Sequence, residues 1–160
     1  MNDFWPFVLL GVVVVVLGVL IVKQLRTDRQ MGPTKQRILA DPVVRTFPGV
    51  RVQLNPGTQK SGFLKGGSDL TVRSRSFDFG LTSRFGAAYR YYLDGQDTEM
   101  RAARLRFGNT RNRDCILITG PWAGKQMDAA IAAEGQLAEM WMLLASVGVK
   151  PMTDAPREPV

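Results

Sequence analysis

Histidine is absent from the 160 residues, and cysteine occurs once. The first absence removes imidazole acid/base chemistry and imidazole metal ligation. The second removes an internal disulfide and any cysteine-rich zinc site. Ser74 and Ser76 are left without an ordinary base to activate them. Cys115 opens an apolar run and reads as a buried, inert thiol. The carboxylates left for acid/base work are Asp69, Asp78, Asp94, Asp97, Glu99, Asp114 and Asp128, mostly in turn-like or exposed contexts. Gly62, Gly66, Gly67 and Ser68 lack the spacing and the following helix of a phosphate-binding loop. The expectation is a chain that is not an enzyme and needs no cofactor or metal.

Residues 4–22, FWPFVLLGVVVVVLGVLIV, lack charge and lack Ser, Thr, Asn and Gln. Nineteen helical residues rise about 28 Å, close to a hydrocarbon core of about 30 Å. Met1, Asn2 and Asp3 supply no positive leader before the run, and Lys23, Gln24, Leu25 and Arg26 supply no small-residue cleavage site after it. These features predict an uncleaved transmembrane helix over 4–22. Lys23, Arg26, Arg29, Lys35 and Arg37 follow it, so the positive-inside rule places the amino end outside and the C-terminal domain in the cytoplasm. The predicted location is the bacterial inner (plasma) membrane, crossed once. Gly11 and Gly18, seven apart, offer one face for packing against another transmembrane helix.

Residues 23–43 read as a polar stalk, because Met31-Gly32-Pro33 and Asp41-Pro42 argue against one straight helix. Short alternating runs then fill 44–151. Val50, Val52 and Leu54 alternate with polar residues before the turn Asn55-Pro56-Gly57. Gly62-Phe63-Leu64-Lys65, Leu70 to Val72, Phe77 to Leu81, Tyr89 to Leu93, Ala103 to Phe107 and Cys115 to Thr119 are further strand candidates. Gly124 to Glu134 fits either strand or helix, and the parity of Met127, Ala129, Ile131 and Ala133 favours a hairpin with the preceding strand. Leu137, Met140, Trp141 and Leu144 stand at i, i+3, i+4 and i+7, an amphipathic helix ended by Gly148 and Pro151. Residues 152–160 read as a disordered tail. The predicted class is α+β: a transmembrane helix, then a small antiparallel β-sandwich or barrel capped by one C-terminal helix.

Several of these residues carry a resemblance. The apolar leader, Gly66-Gly67-Ser68-Asp69-Leu70, Arg113-Asp114-Cys115-Ile116-Leu117, and Trp141 with Gly148-Val149-Lys150-Pro151 resemble uncharacterised actinobacterial single-pass membrane proteins. That group is similar in layout to pleckstrin-homology-like (PH-like) domains. The resemblance implies a PH-like fold over 44–151 and a membrane context, and no catalytic residue.

The net charge of +7 is uneven: residues 44–113 carry +8 and residues 114–160 carry −3. Every cation from Arg73 to Arg113 is arginine, the side chain suited to bidentate phosphate recognition. Arg73 and Arg75 are expected to share a strand face, as are Arg104 and Arg106. With Arg90, Arg111 and Arg113 these form the candidate surface for a phosphate headgroup or a partner. Nucleic acid is disfavoured, since no RRM-type motif, helix-turn-helix or zinc set is present. The functional expectation is a non-enzymatic inner-membrane accessory or adaptor, its basic domain bound to integral membrane proteins of a larger complex. The alternative is a tethered sensor of anionic phospholipids.

Overall fold

The computed structural model describes residues 5–56, 68–82, 88–107 and 111–156. The expected run Gly62 to Lys65, Phe4, the turn glycines Gly66, Gly67 and Gly108, Arg84 and the last four residues of the tail lie outside the described residues. Two helices and eight strands follow along the described chain: α1 (Trp5–Ala40), β1 (Val43–Leu54), β2 (Ser68–Arg73), β3 (Ser76–Thr82), β4 (Ala88–Asp94), β5 (Glu99–Arg106), β6 (Asn112–Trp122), β7 (Lys125–Ala132), α2 (Leu137–Ser146) and β8 (Lys150–Pro151).

The strands form one sheet in the order β4-β3-β2-β1-β7-β6-β5-β8. Neighbours are antiparallel except β5 and β8, which run parallel. The sheet is therefore mixed, and it is continuous where a wholly antiparallel sandwich or barrel was expected. β1 explains the continuity. Its first part pairs with β2 through Val50, and its last part, Arg51 to Leu54, pairs with β7. The register slips between Pro48 and Val50, where Pro48 brings no N–H and Gly49 takes φ +71°. One strand thus bends from one set of partners to the other. The roll brings Tyr91 of β4 within 4.8 Å, centroid to centroid, of Trp122 of β6, although those strands are not bonded neighbours.

The roll encloses one main core. Phe47, Leu70, Val72, Phe77, Phe79, Leu93, Met100, Ile116, Ile118 and Ile131 point inward at the period-two positions. Leu137, Met140, Trp141 and Leu144 of α2 fill the same core, as the helical spacing predicts. Gly148, at φ +102°, ends that helix, and its N–H and that of Val149 reach the carbonyls of Ala145 and Leu144 at 3.1 Å each. The ambiguous stretch 124–134 contains a strand. Ala123 (φ +50°) and Gly124 (φ +73°) make a two-residue turn of the kind that matches strand twist, and Trp122 pairs with Lys125 across it. The start of the tail is ordered too: Thr153 Oγ1 accepts the Ala102 N–H at 2.8 Å, and Pro156 is buried.

The amino-terminal quarter requires the largest correction. α1 is a single helix of 36 residues that continues through Gly32 and Pro33, so the expected stalk is helical. Among the described residues, no helix is long and apolar enough to cross a membrane. Residues 8–22 of α1 are exposed. The helix then continues with charged residues and joins the folded unit. Ile38 is buried, Arg37 meets Asp94 at 2.5 Å, and Lys35 lies 5.7 Å from the Tyr92 ring centroid. Those contacts hold the last turns in place despite the missing amide of Pro33, which costs about 3 kcal/mol in a helix interior. The transmembrane helix over 4–22, and the single-pass inner-membrane location with an outside amino end and a cytoplasmic C-terminal domain, are therefore set aside.

The turn after β4 is tightly enclosed. A side chain on Gly95 would place its Cβ 2.1 Å from the Val147 carbonyl oxygen and 3.0 Å from that of Arg75. Gly95→Ala is expected to lower the unfolding free energy by about 1–3 kcal/mol, because backbone must shift. Gly11→Ala, with nothing within 4 Å, is expected to cause no loss. Urea denaturation followed by circular dichroism measures both, and equal stability of the two variants would contradict this packing.

Candidate functional site

Strand alternation sorts the arginines into two groups. On β2, Leu70 and Val72 enter the core, which leaves Asp69, Thr71 and Arg73 on the other face. On β3 the same rule places Asp78 and Gly80 outward, and on β4 it places Arg90 and Tyr92. Register then brings Asp78 beside Thr71 and Tyr92, and Gly80 beside Arg90. The Asp78 side chain is 0% exposed, yet each of its oxygens has a cation. Arg73 Nε donates to one at 2.8 Å, and Arg90 Nε donates to the other. Arg90 also donates to Asp69 at 2.7 and 3.2 Å and to Thr71 Oγ1 at 3.2 Å. Arg73 Nη1 reaches the Asp41 carbonyl at 3.1 Å, just beyond α1. Gly80 leaves the room: a Cβ there would lie 2.9 Å from Asp69 Oδ1.

This network is internally neutral. The hydrogen bonds from Arg90 hold the Asp69 carboxyl below its ordinary range, against the opposing effect of burial. Burial alone would lower the Arg90 value, but its bonds to Asp69 and Asp78 outweigh that and raise it. Arg73 and Arg90 are thus bound within the fold and do not form an open headgroup surface. Nor do Arg73 and Arg75 share a strand face, because β2 ends at Arg73 and Arg75 lies exposed in the turn before β3.

The second group lies at the opposite side of the β1 bend. A pocket of about 570 Å³ opens there, lined in part by Pro48 and Gly49 of the bend itself. Arg51 of β1, Arg104 of β5 and Arg113 of β6 line it, together with Asp114, Glu134 and Gln136. Arg104 stands 3.8 Å from Asp114, a loose and exposed pair. Arg113 Nη1 donates to Glu134, while Arg113 Nε is shielded from solvent and has no partner among the described residues. The hydrogen bond from Arg113, then its charge, holds the Glu134 carboxyl low, and Arg51 adds to the effect. Gln136 and Leu137, where α2 begins, also line the pocket, and among the described residues no side chain caps that helix start. Its positive end adds to the arginines. Arg106 and Arg111 stand exposed at the same end of the β5–β6 hairpin.

Of the predicted site residues, Arg104 and Arg113 meet at the pocket, with Arg106 and Arg111 nearby. Arg51, Glu134 and Gln136 were missed. Arg51 reaches the pocket only because β1 pairs with β7 some eighty residues later, where Arg51 faces Ala132. Local spacing holds no signal for that pairing. Gly11 and Gly18 stand exposed on α1 with nothing within 4 Å of either Cβ position. Cys115 is fully buried, donates to the Ala103 carbonyl at 3.4 Å, and has its thiol pushed up by burial to about 11. No protein-family model, curated protein or solved structure matches this chain.

The Asp69–Arg90 pair has a pH signature. A carboxylate with a lowered folded-state pKa stabilises the fold fully above its unfolded value, about 3.9, and loses that contribution as the pH falls through the folded value. The wild-type advantage over Asp69→Asn in urea midpoint is expected to be constant above about pH 5 and to shrink below about pH 4. An advantage unchanged from pH 7 to pH 3 would contradict the assignment.

Proposed function

We propose that this chain is a non-enzymatic adaptor whose β-rich domain binds an acidic segment of a partner protein. The pocket lined by Arg51, Arg104 and Arg113 is the observation that carries this reading. Three arginines face two carboxylates there, so the pocket has a cationic excess. Arginine suits carboxylate recognition because its planar fork can hold two oxygens at once. The bound state of Arg73 and Arg90 supports placing the partner here and not on the β2–β4 face.

Asp114 and Glu134 lie among the arginines, so the pocket repels a doubly charged anion more than a single carboxylate; a lipid phosphodiester also carries one charge, and the vesicle arm of the test separates it from a protein segment. The absence of enzymatic activity is part of the same proposal, supported by the lack of histidine and the shielded Cys115 thiol. Asp69 and Asp78 share Arg90, and neither lines the pocket.

The test is fluorescence anisotropy with a labelled Asp/Glu-rich peptide and the full chain. Arg51→Glu and Arg104→Glu are each expected to weaken binding about tenfold, the equivalent of about 1.4 kcal/mol. Arg75→Glu, away from the pocket, is expected to change it less than about twofold. Equal losses at Arg75 and Arg51, or binding to phosphatidylserine vesicles but not to the peptide, would contradict the reading.

A further inference from the structure

Within the pocket, Arg113 is already occupied by a carboxylate of the chain itself. Glu134 follows β7, outside the strand pairing, and Gly135 at φ +67° turns the backbone immediately after it. Its side chain is 82% exposed, while that of Arg113 is 28% exposed. The cation is therefore the fixed partner and the carboxylate the movable one. Exposed ion pairs are weak, because water and lost side-chain freedom offset most of the attraction. Arg113 Nε, shielded and without a partner among the described residues, gives the guanidinium a further donor for a second arrangement of the carboxylate.

We infer that Glu134 is an intramolecular competitor: it occupies Arg113 in the free chain, and a side-chain or C-terminal carboxylate of the partner displaces it. This rests on the adaptor reading of the same pocket. The group that holds the place shows which ligand chemistry fits, namely a planar carboxylate singly charged. When Glu134 swings away on its turn, the incoming carboxylate takes Arg113 and lies close enough to be drawn by Arg51, which already acts on Glu134. Apparent affinity is then reduced by the fraction of molecules in which Glu134 still holds Arg113.

The experiment uses the full chain and the labelled acidic peptide. Glu134→Gln removes the charge and keeps the shape, and it is expected to tighten binding about three- to tenfold. In the Arg113→Gln background the same change is expected to have no effect, which a merely structural role for Glu134 would not produce. Acetate at high concentration is expected to compete better than inorganic phosphate at equal ionic strength. Unchanged or weaker binding by Glu134→Gln, with Arg51→Glu still harmful, would overturn the competitor and leave the pocket standing. Binding by neither wild type nor Glu134→Gln would overturn both.

Discussion

A buried carboxylate organises this molecule. Asp78 is removed from water entirely, and a charge so placed costs several kcal/mol unless its partners are held well. Arg73 and Arg90 supply both partners, one from each neighbouring strand. The remaining arms of those arginines tie in Asp69, Thr71 and the chain just after α1. Loss of either cation would leave one oxygen of the buried carboxylate without its charged partner, a destabilising change. The requirement therefore reaches from β2 to β4 and to the end of the first helix. It also neutralises the face on which two of the best-placed arginines lie.

The cationic excess consequently has a different place from the one that composition suggests. β1 bends at Pro48 and Gly49, leaves β2 and joins β7, and the gap beside that bend is the pocket. Arg51, Arg104 and Arg113 reach it from strands far apart in sequence. Their neighbours Asp114 and Glu134 keep the pocket from being a simple anion trap. That mixture of signs is the basis of the proposed preference for a lightly charged, planar acid.

Local periodicity made much of the fold legible. The period-two runs at Leu70–Val72, Phe77–Leu81 and Tyr89–Leu93 lie in β2, β3 and β4, and the face Leu137, Met140, Trp141, Leu144 is the buried face of α2. These signals survive because each depends on one element meeting one core. Long-range facts were not legible. The polar stretch around Gly32-Pro33 looked like a helix breaker, yet Lys35 and Arg37 bind the helix to β4, Ile38 is buried, and the helix stays continuous. The apolar leader has the composition of a membrane span, but that composition does not reveal that the helix runs on into the fold. The arginines were legible as a group, whereas their partners depended on register: Asp78 opposite Thr71, Arg90 opposite Gly80.

The central claim is that internal pairing empties the β2–β4 face of available charge and leaves ligand binding to the bend. Backbone amide shifts of the isotope-labelled chain, followed during titration with the acidic peptide, report this directly. The account predicts the largest changes at Arg51, Asn112 to Asp114 and Ala132 to Leu137. Changes concentrated instead at Asp69 to Arg73, Asp78 and Arg90 would contradict it.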